Sequence, residues 1–236
     1  MKWTVLDIES KQLVQDWDKP WEAGCSVAGL WISWIGGPWG RVRLFREERL
    51  AKMLVWIEQC DLLVTYNGNR YDCPAVTGMA GDFPSTPRCD LHELLQESCG
   101  HRVKLESVAR ATLGRGKSGH GDGAPTLWAE GRLDELHSYC QDDVELTRDL
   151  FLFARRHGFL WVPQRNNPLP KPVPIQVPGS GRIVEVPQGA PYIPATTGQI
   201  RYLRDLKPGW NPTPGLTKQG AHQMIEAALN AGRRTV

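Results

Sequence analysis

The sequence predicts an α/β fold, a sheet flanked by helices, over its first 162 residues. Three early segments have the apolar character of strands, at residues 3–9, 26–35 and 41–45, and helical and strand patterns alternate after them. The chain has 236 residues, of which 41% are hydrophobic and 23% charged. This composition suits one ordinary domain with a smaller addition, and it excludes a disordered chain.

The elements after the third strand follow from hydrophobic periodicity. Residues 47–60 carry apolar side chains at helical spacing, and residues 62–66 form a short apolar run typical of a buried strand. Residues 105–113 are predicted to form a helix. Residues 133–156 form the longest periodic segment, and Gly158 is placed to end it.

Proline marks the predicted end of this domain. Nine of the 18 prolines lie between Pro163 and Pro194, where they disfavour helix and favour extended backbone. We therefore expect three regions: a domain over residues 1–162, a proline-rich linker over 163–195 with a hairpin around residues 179–181, and a small basic helical element over 196–236.

Charge is unevenly distributed between these regions. The net charge is +2, but residues 1–162 carry −4 and residues 163–236 carry +6. A basic tail on an acidic body indicates a polyanionic partner, and a merely soluble tail is the alternative. The last region is too short to form a stable core alone, so we also expect it to dock on the body, dimerise or bind a protein partner.

The remaining composition excludes several classes of protein. The six cysteines include no CxxC pair, which indicates reduced thiols rather than a zinc site or a disulfide scaffold. The longest apolar stretch, residues 27–35, is too short to span a membrane. Two carboxylates by residue 9 argue against a secretory leader. We expect a protein of the cytoplasm, either bacterial or encoded by a phage.

Two carboxylates on the first strand are the first candidate site residues. Asp7 and Glu9 are two residues apart, so in a strand they project from the same face. Their mutual repulsion and their desolvation are unfavourable unless a cation binds between them. Hard divalent ions such as Mg²⁺ prefer these oxygen ligands.

A second segment follows the strand at residues 62–66. Asn67 and Gly68 favour a turn with positive φ, and Asp72 lies beside a predicted helix start. Asn67 and Tyr71 could supply a hydrogen bond and a stacking face to a ligand.

The long helix supplies the fourth acid. Asp143 falls on the core-facing stripe of this helix, whose other members are Leu136, Cys140, Thr147 and Leu150. Tyr139 lies one turn earlier and borders the same stripe, whereas Asp142 belongs to the solvated face. An acid on a core-facing stripe needs a reason, and a bound cation supplies one.

Taken in order, these motifs resemble those of the DnaQ-like (DEDD) 3′→5′ exonucleases, which have a ribonuclease H-like fold. The segment Tyr-Cys-Gln-Asp-Asp-Val at residues 139–144 is similar to the tyrosine branch of that superfamily. The segment at residues 66–74 is similar to its counterpart in the exonuclease domains of family B DNA polymerases and their stand-alone relatives. The histidine branch offers a competing register, His137 with Asp142, although the helical faces favour Tyr139 with Asp143.

The resemblance implies a metal-dependent 3′→5′ exonuclease with two Mg²⁺ or Mn²⁺ ions. Asp7, Glu9 and Asp143 would hold one ion, Asp7 would also contact the second, and Asp72 would support that ion directly or through water. Tyr139 would orient the attacking water, because an ordinary tyrosine pKa of about 10 makes it a poor base. The alternatives are a structure-selective endonuclease on the same fold and a non-catalytic nucleic-acid-binding adaptor.

The expected substrate is a single-stranded or frayed 3′ end of DNA, with RNA as the alternative. Asn67 and Tyr71 are expected to contact the terminal nucleotide. Arg115 and Lys117 belong to a basic segment before the long helix and are expected to contact phosphates; a solvated loop is the alternative. Tryptophans in loops, such as Trp17, could stack on bases.

Overall fold

The computed structural model describes residues 1–33, 40–117, 123–164 and 167–179, together with Met224. The strands of the main sheet are, in chain order, Trp3–Ser10 (β1), Cys25–Ser33 (β2), Gly40–Phe45 (β3), Leu62–Thr65 (β4) and Arg88–Asp90 (β5). In space their order is β3-β2-β1-β4-β5. The β1–β2 and β2–β3 pairs are antiparallel, whereas β4 pairs in parallel with both β1 and β5.

Helices cover both faces of this mixed sheet. Those in the described residues are Leu50–Glu58 (α1), Asp72–Ala80 (α2), Leu91–Cys99 (α3), Leu105–Leu113 (α4), Ala124–Ala129 (α5) and Leu133–His157 (α6). Alternate side chains of β1 point to opposite faces of the sheet. Trp3 and Val5 pack in the core formed with α4 and α6, and Leu6 and Ile8 pack in the core formed with α1 and α2. The predicted α/β fold, a mixed sheet flanked by helices, is confirmed.

The long helix forms where its pattern predicts. The inward stripe from Leu136 through Asp143 to Leu150 is buried, and α6 ends at Gly158, which adopts φ 74°. Glycine favours this left-handed conformation because it carries no Cβ. The amide of Gly158 donates to the carbonyl of Ala154 and closes the last turn.

A second, two-stranded sheet occupies the start of the predicted linker. Phe159–Gln164 (β6) and Asn167–Pro174 (β7) form an antiparallel hairpin. Prolines at positions 170, 172 and 174 alternate with residues that can donate to β6, so the missing amide hydrogens face the outer edge. An alternating run of prolines is therefore compatible with an edge strand.

This hairpin belongs to the body of the protein. Val173, Ile175 and Val177 are buried in the same core as Trp3 and Phe151. The linker expected to start at residue 163 therefore contributes to the main core up to Val177. The hairpin expected around residues 179–181 lies outside the described residues from Ser180 onward, as does the element expected over 196–236 apart from Met224.

Within the part of the chain that the structure describes, no helix has the length and apolar character needed to cross a membrane.

Candidate active site

The site begins where β1 runs past its parallel neighbour. Pairing with β4 covers only Trp3, Thr4 and Val5 of β1, whereas pairing with β2 continues to Ser10. Asp7 and Glu9 therefore lie beyond the carboxyl end of β4, at the edge of the sheet where ligands bind in open α/β folds.

Asp72 forms a hydrogen bond with β1 beyond the point where the pairing of β1 with β4 ends. Its Oδ1 atom accepts a hydrogen bond of 2.8 Å from the backbone amide of Ile8, which lies between Asp7 and Glu9. Asp72 is the first residue of α2 and is 4% exposed. One carboxylate thus fixes the end of β1 and adds its own charge beside the strand's two acids.

The close approach of α6 to β2 brings in the remaining acid. Gly29 of β2 pairs with Asp7 across the sheet. A Cβ atom at Gly29 would lie 2.7 Å from Cγ2 of Val144 and 2.9 Å from Sγ of Cys140. Only a residue without a side chain allows α6 to pack this closely, and this packing places Asp143 over β1.

These acids form a compact group of oxygen atoms. Carboxylate oxygens of Asp7, Glu9 and Asp143 all lie within 4.8 Å of one another. Oδ2 of Asp7 and Oδ1 of Asp143 are buried and have no hydrogen-bond partner among the residues that the structure describes. A buried carboxylate oxygen without a partner is unfavourable, and a bound divalent cation would satisfy both atoms.

Burial raises the pKa of every acid in the group. It raises the pKa of Glu9 to about 8, that of Asp72 to about 7 and that of Asp143 to about 6. Burial, together with the charges of Glu9 and Asp143, also holds the pKa of Asp7 well above its usual range. The charged forms of these groups therefore require a compensating cation.

Lys117 supplies one positive charge to this group. Its Nζ atom donates to Oδ2 of Asp143 at 2.5 Å and to the hydroxyl of Tyr139 at 2.9 Å. Burial of Lys117 acts to lower its pKa, but the neighbouring Asp143 carboxylate reverses this and raises it, so the ammonium stays charged. Burial also raises the pKa of Tyr139, so its phenol stays protonated.

The other residues that were predicted to contact the substrate make contacts with the protein itself. Asn67 has φ 70°, and its side-chain oxygen accepts from Arg102 at 2.9 Å. Tyr71 is half-buried and packs on the core under α2. Arg115 is turned to Asp149 in an ion pair and is not brought to the acids, unlike Lys117.

Asp90 organises the loop before Asp72, and sequence reasoning missed it. Its carboxylate accepts from the hydroxyl of Thr65 and from the backbone amides of Asn67, Asn69 and His92. The available signal was the Asp-x-x-Glu spacing at residues 90–93, which is typical of a helix N-terminus.

The structure brings Tyr139 and Asp143, rather than His137 and Asp142, to the acids of β1. His137 instead lines a separate cavity of about 180 Å³ with Lys11 and Trp128. Asp142 is not among the clustered carboxylates of the described residues.

Comparison with known families is consistent with this mixed sheet flanked by helices. The RNase_H_2 family model, of the ribonuclease H superfamily, matches residues 41–153. The match spans β3 to α6 and so includes Asp72 and Asp143. No curated protein matches the chain significantly. The fold is ribonuclease H-like, and the match supports a nuclease, a hydrolase that acts on nucleic acid, for which divalent metals are the usual cofactors.

Proposed function

We propose that the protein is a metal-dependent 3′→5′ exonuclease that removes nucleotides from single-stranded or frayed ends of DNA or RNA. The observation that carries this proposal is the group of carboxylate oxygens from Asp7, Glu9 and Asp143, two of which are buried without a partner in the described part of the chain. The order of the motifs along the chain supports the tyrosine branch of the DEDD exonucleases.

The residues present fit a pair of divalent ions. Asp7, Glu9 and Asp143 would hold one ion, and Asp7 and Asp72 would hold or support the other. When bound, such ions stabilise the negative charge that develops on the phosphoryl group and lower the pKa of the attacking water.

Tyr139 and Lys117 complete the proposed site. The Tyr139 oxygen accepts from Lys117, so its own O–H hydrogen remains available to donate to the attacking water. A protonated phenol can orient that water but cannot act as its base. Lys117 brings a positive charge to the place where substrate phosphates would meet the acids, and Asn67 and Tyr71 would contact the terminal nucleotide.

The test is degradation of end-labelled oligonucleotides in Mg²⁺ or Mn²⁺, with matched deoxy and ribo substrates. We expect a 5′-labelled strand to shorten stepwise from its 3′ end. Asp143→Asn should abolish cleavage and weaken binding of Mn²⁺ in calorimetry. Asp142→Asn changes the neighbouring carboxylate in the same way and should leave both nearly unchanged.

Three results would contradict this proposal. Cleavage of circular single-stranded DNA would identify an endonuclease. Binding of oligonucleotides without any cleavage in either metal would identify an adaptor. Full activity of Asp143→Asn with loss of activity in Asp142→Asn would identify the histidine register.

A further inference from the structure

An exposed tryptophan stands in the loop between β1 and β2. Trp17 is 52% exposed, the largest exposed fraction among the tryptophans of the described residues. Trp3, Trp31 and Trp161, in contrast, fill the core. The exposed indole offers an apolar ring face that a planar ligand could cover.

The indole is held in place by two residues of the β4–α2 loop. The guanidinium carbon of Arg70 lies 5.4 Å from the centre of the Trp17 ring, in cation–π geometry. The Tyr71 ring meets Trp17 edge-on, with 6.2 Å between ring centroids and 67° between planes. About half of the indole surface nevertheless remains open for a further planar group.

This platform, formed by Trp17, Arg70 and Tyr71, adjoins the acids. Arg70 and Tyr71 directly precede Asp72, whose carboxylate is bonded to β1 between Asp7 and Glu9. Arg70 makes no ion pair with any residue that the structure describes, so its charge is available to a phosphate.

The charges around Trp17 discriminate between the parts of a nucleotide. Asp16 and Asp18 flank it in the chain, and the Asp18 amide donates to the Asp16 carboxylate at 2.9 Å. These two acids repel phosphate, whereas an uncharged base can still stack on the indole. The Arg70 guanidinium, over the Trp17 ring, attracts phosphate.

We propose that Trp17 is a stacking platform for an unpaired base of the substrate strand, with Arg70 contacting the phosphate beside that base. This inference rests on the proposed function, since it assigns a further contact to the strand that the acids would cleave. It specifies a single-stranded substrate, because a base inside a duplex has no free face to offer an indole.

The test measures binding separately from cleavage. Fluorescence anisotropy with a labelled single-stranded oligonucleotide in EDTA reports affinity when no metal supports catalysis. We expect Trp17→Ala to weaken binding by about fivefold to a hundredfold, and Trp17→Phe to restore most of it. Trp128→Ala is the matched control, because Trp128 is 38% exposed on α5 and should tolerate the change without loss of affinity.

Abasic sites locate the stacked base. In oligonucleotides with one abasic site at successive positions from the 3′ end, one position should weaken binding to the wild-type protein about as much as Trp17→Ala does. At that position alone, Trp17→Ala should show no further loss, because the two changes remove the same contact.

The outcomes separate this inference from the proposed function. Cleavage by the wild-type protein with equal affinity in Trp17→Ala overturns the platform and leaves the nuclease standing. Weakened binding in Trp17→Ala without cleavage by the wild-type protein supports the platform and overturns the nuclease. Unchanged oligonucleotide affinity with loss of a dimer in sedimentation overturns the platform and makes Trp17 a protein contact.

Discussion

The hydrogen bond from Lys117 to Tyr139 determines what Tyr139 can do. The ammonium occupies a lone pair of the phenol oxygen, and the raised pKa of Tyr139 keeps its hydrogen in place near neutral pH. Tyr139 is therefore a donor of fixed orientation. Its removal should slow the chemical step without disturbing the carboxylates that bind metal.

We expect Tyr139→Phe to lower kcat by about tenfold to a hundredfold, the usual cost of losing an orienting group next to a metal site. Metal binding should stay within about twofold of wild type, since no carboxylate is altered. Single-turnover kinetics and Mn²⁺ calorimetry measure the two quantities. Equal losses in both would show that the ring supports the site's structure instead.

The stability of the metal-free protein should fall as the pH rises. The pKa of Glu9 moves from an ordinary 4.5 to about 8 on folding, so the folded state binds more protons than the unfolded state between these values. By linkage, this contribution is fully present below pH 4.5 and is lost as the pH passes 8. We expect a loss on the order of a few kcal/mol across this range, measured by denaturant unfolding.

Two comparisons check the origin of that slope. Glu9→Gln should flatten it, because the amide does not titrate. Added Mn²⁺ should stabilise the wild-type protein more at the alkaline end, where the carboxylates are charged. A slope that is unchanged in Glu9→Gln would assign it to other groups.

At the scale of elements, the contact of α6 with β2 sets the geometry of the acids. We expect Gly29→Ala to lower the free energy of unfolding by about 1–3 kcal/mol, because the new Cβ overlaps Val144 and Cys140. Displacing α6 should also weaken Mn²⁺ binding, although no ligand is changed. Chemical denaturation and calorimetry measure the two effects.

Gly123→Ala is the matched control for this change. Gly123 has φ −74°, and among the described residues its Cβ would meet only Pro125, at 3.6 Å, so alanine fits there. If both variants lose metal affinity alike, the close packing at Gly29 is not what places Asp143.

Some elements could be predicted because their signals are local. Helix α4 forms over the predicted residues 105–113, since an apolar stripe is followed by a glycine that closes the helix. Strand β5 spans only Arg88–Asp90 and has no periodicity to detect. Strand β7 could not be predicted, because its prolines disfavour a strand unless their alternation is compared with the pairing partner β6.

The same distinction between local and long-range signals applies to the residues of the candidate site. Asp7, Glu9 and Asp143 could be predicted, since strand and helix periodicity assign each side chain to a face. The contact of Lys117 with Asp143 could not, because it depends on the path of the loop after α4. Asp90 acts through loop amides distant in sequence, which no periodicity reveals.

At the scale of the whole molecule, the folded body extends through the β6–β7 hairpin. We expect a chain ending at Val162 to lose about 5–9 kcal/mol, because the buried side chains of Val173, Ile175 and Val177 are removed. That loss approaches the whole stability of an ordinary domain. A chain ending at Gly179 keeps all three side chains and should retain a cooperative transition.

Circular dichroism with thermal melting distinguishes the two chains. The shorter chain should lack a cooperative transition, and a cooperative one near that of the full chain would contradict the extended body. The chain ending at Gly179 also tests the basic tail, since weaker oligonucleotide affinity with unchanged turnover on short substrates would make that tail an accessory.

The bond between Asp72 and Ile8 bears on how alanine scanning of this protein should be interpreted. Truncating Asp72 removes a negative charge. It also removes the hydrogen bond that holds β1, the strand that carries two other acids. Loss of activity in Asp72→Ala would thus overstate the contribution of this carboxylate as a metal ligand. Asparagine still offers an oxygen to the Ile8 amide, so the difference between the two variants measures the tether apart from the charge.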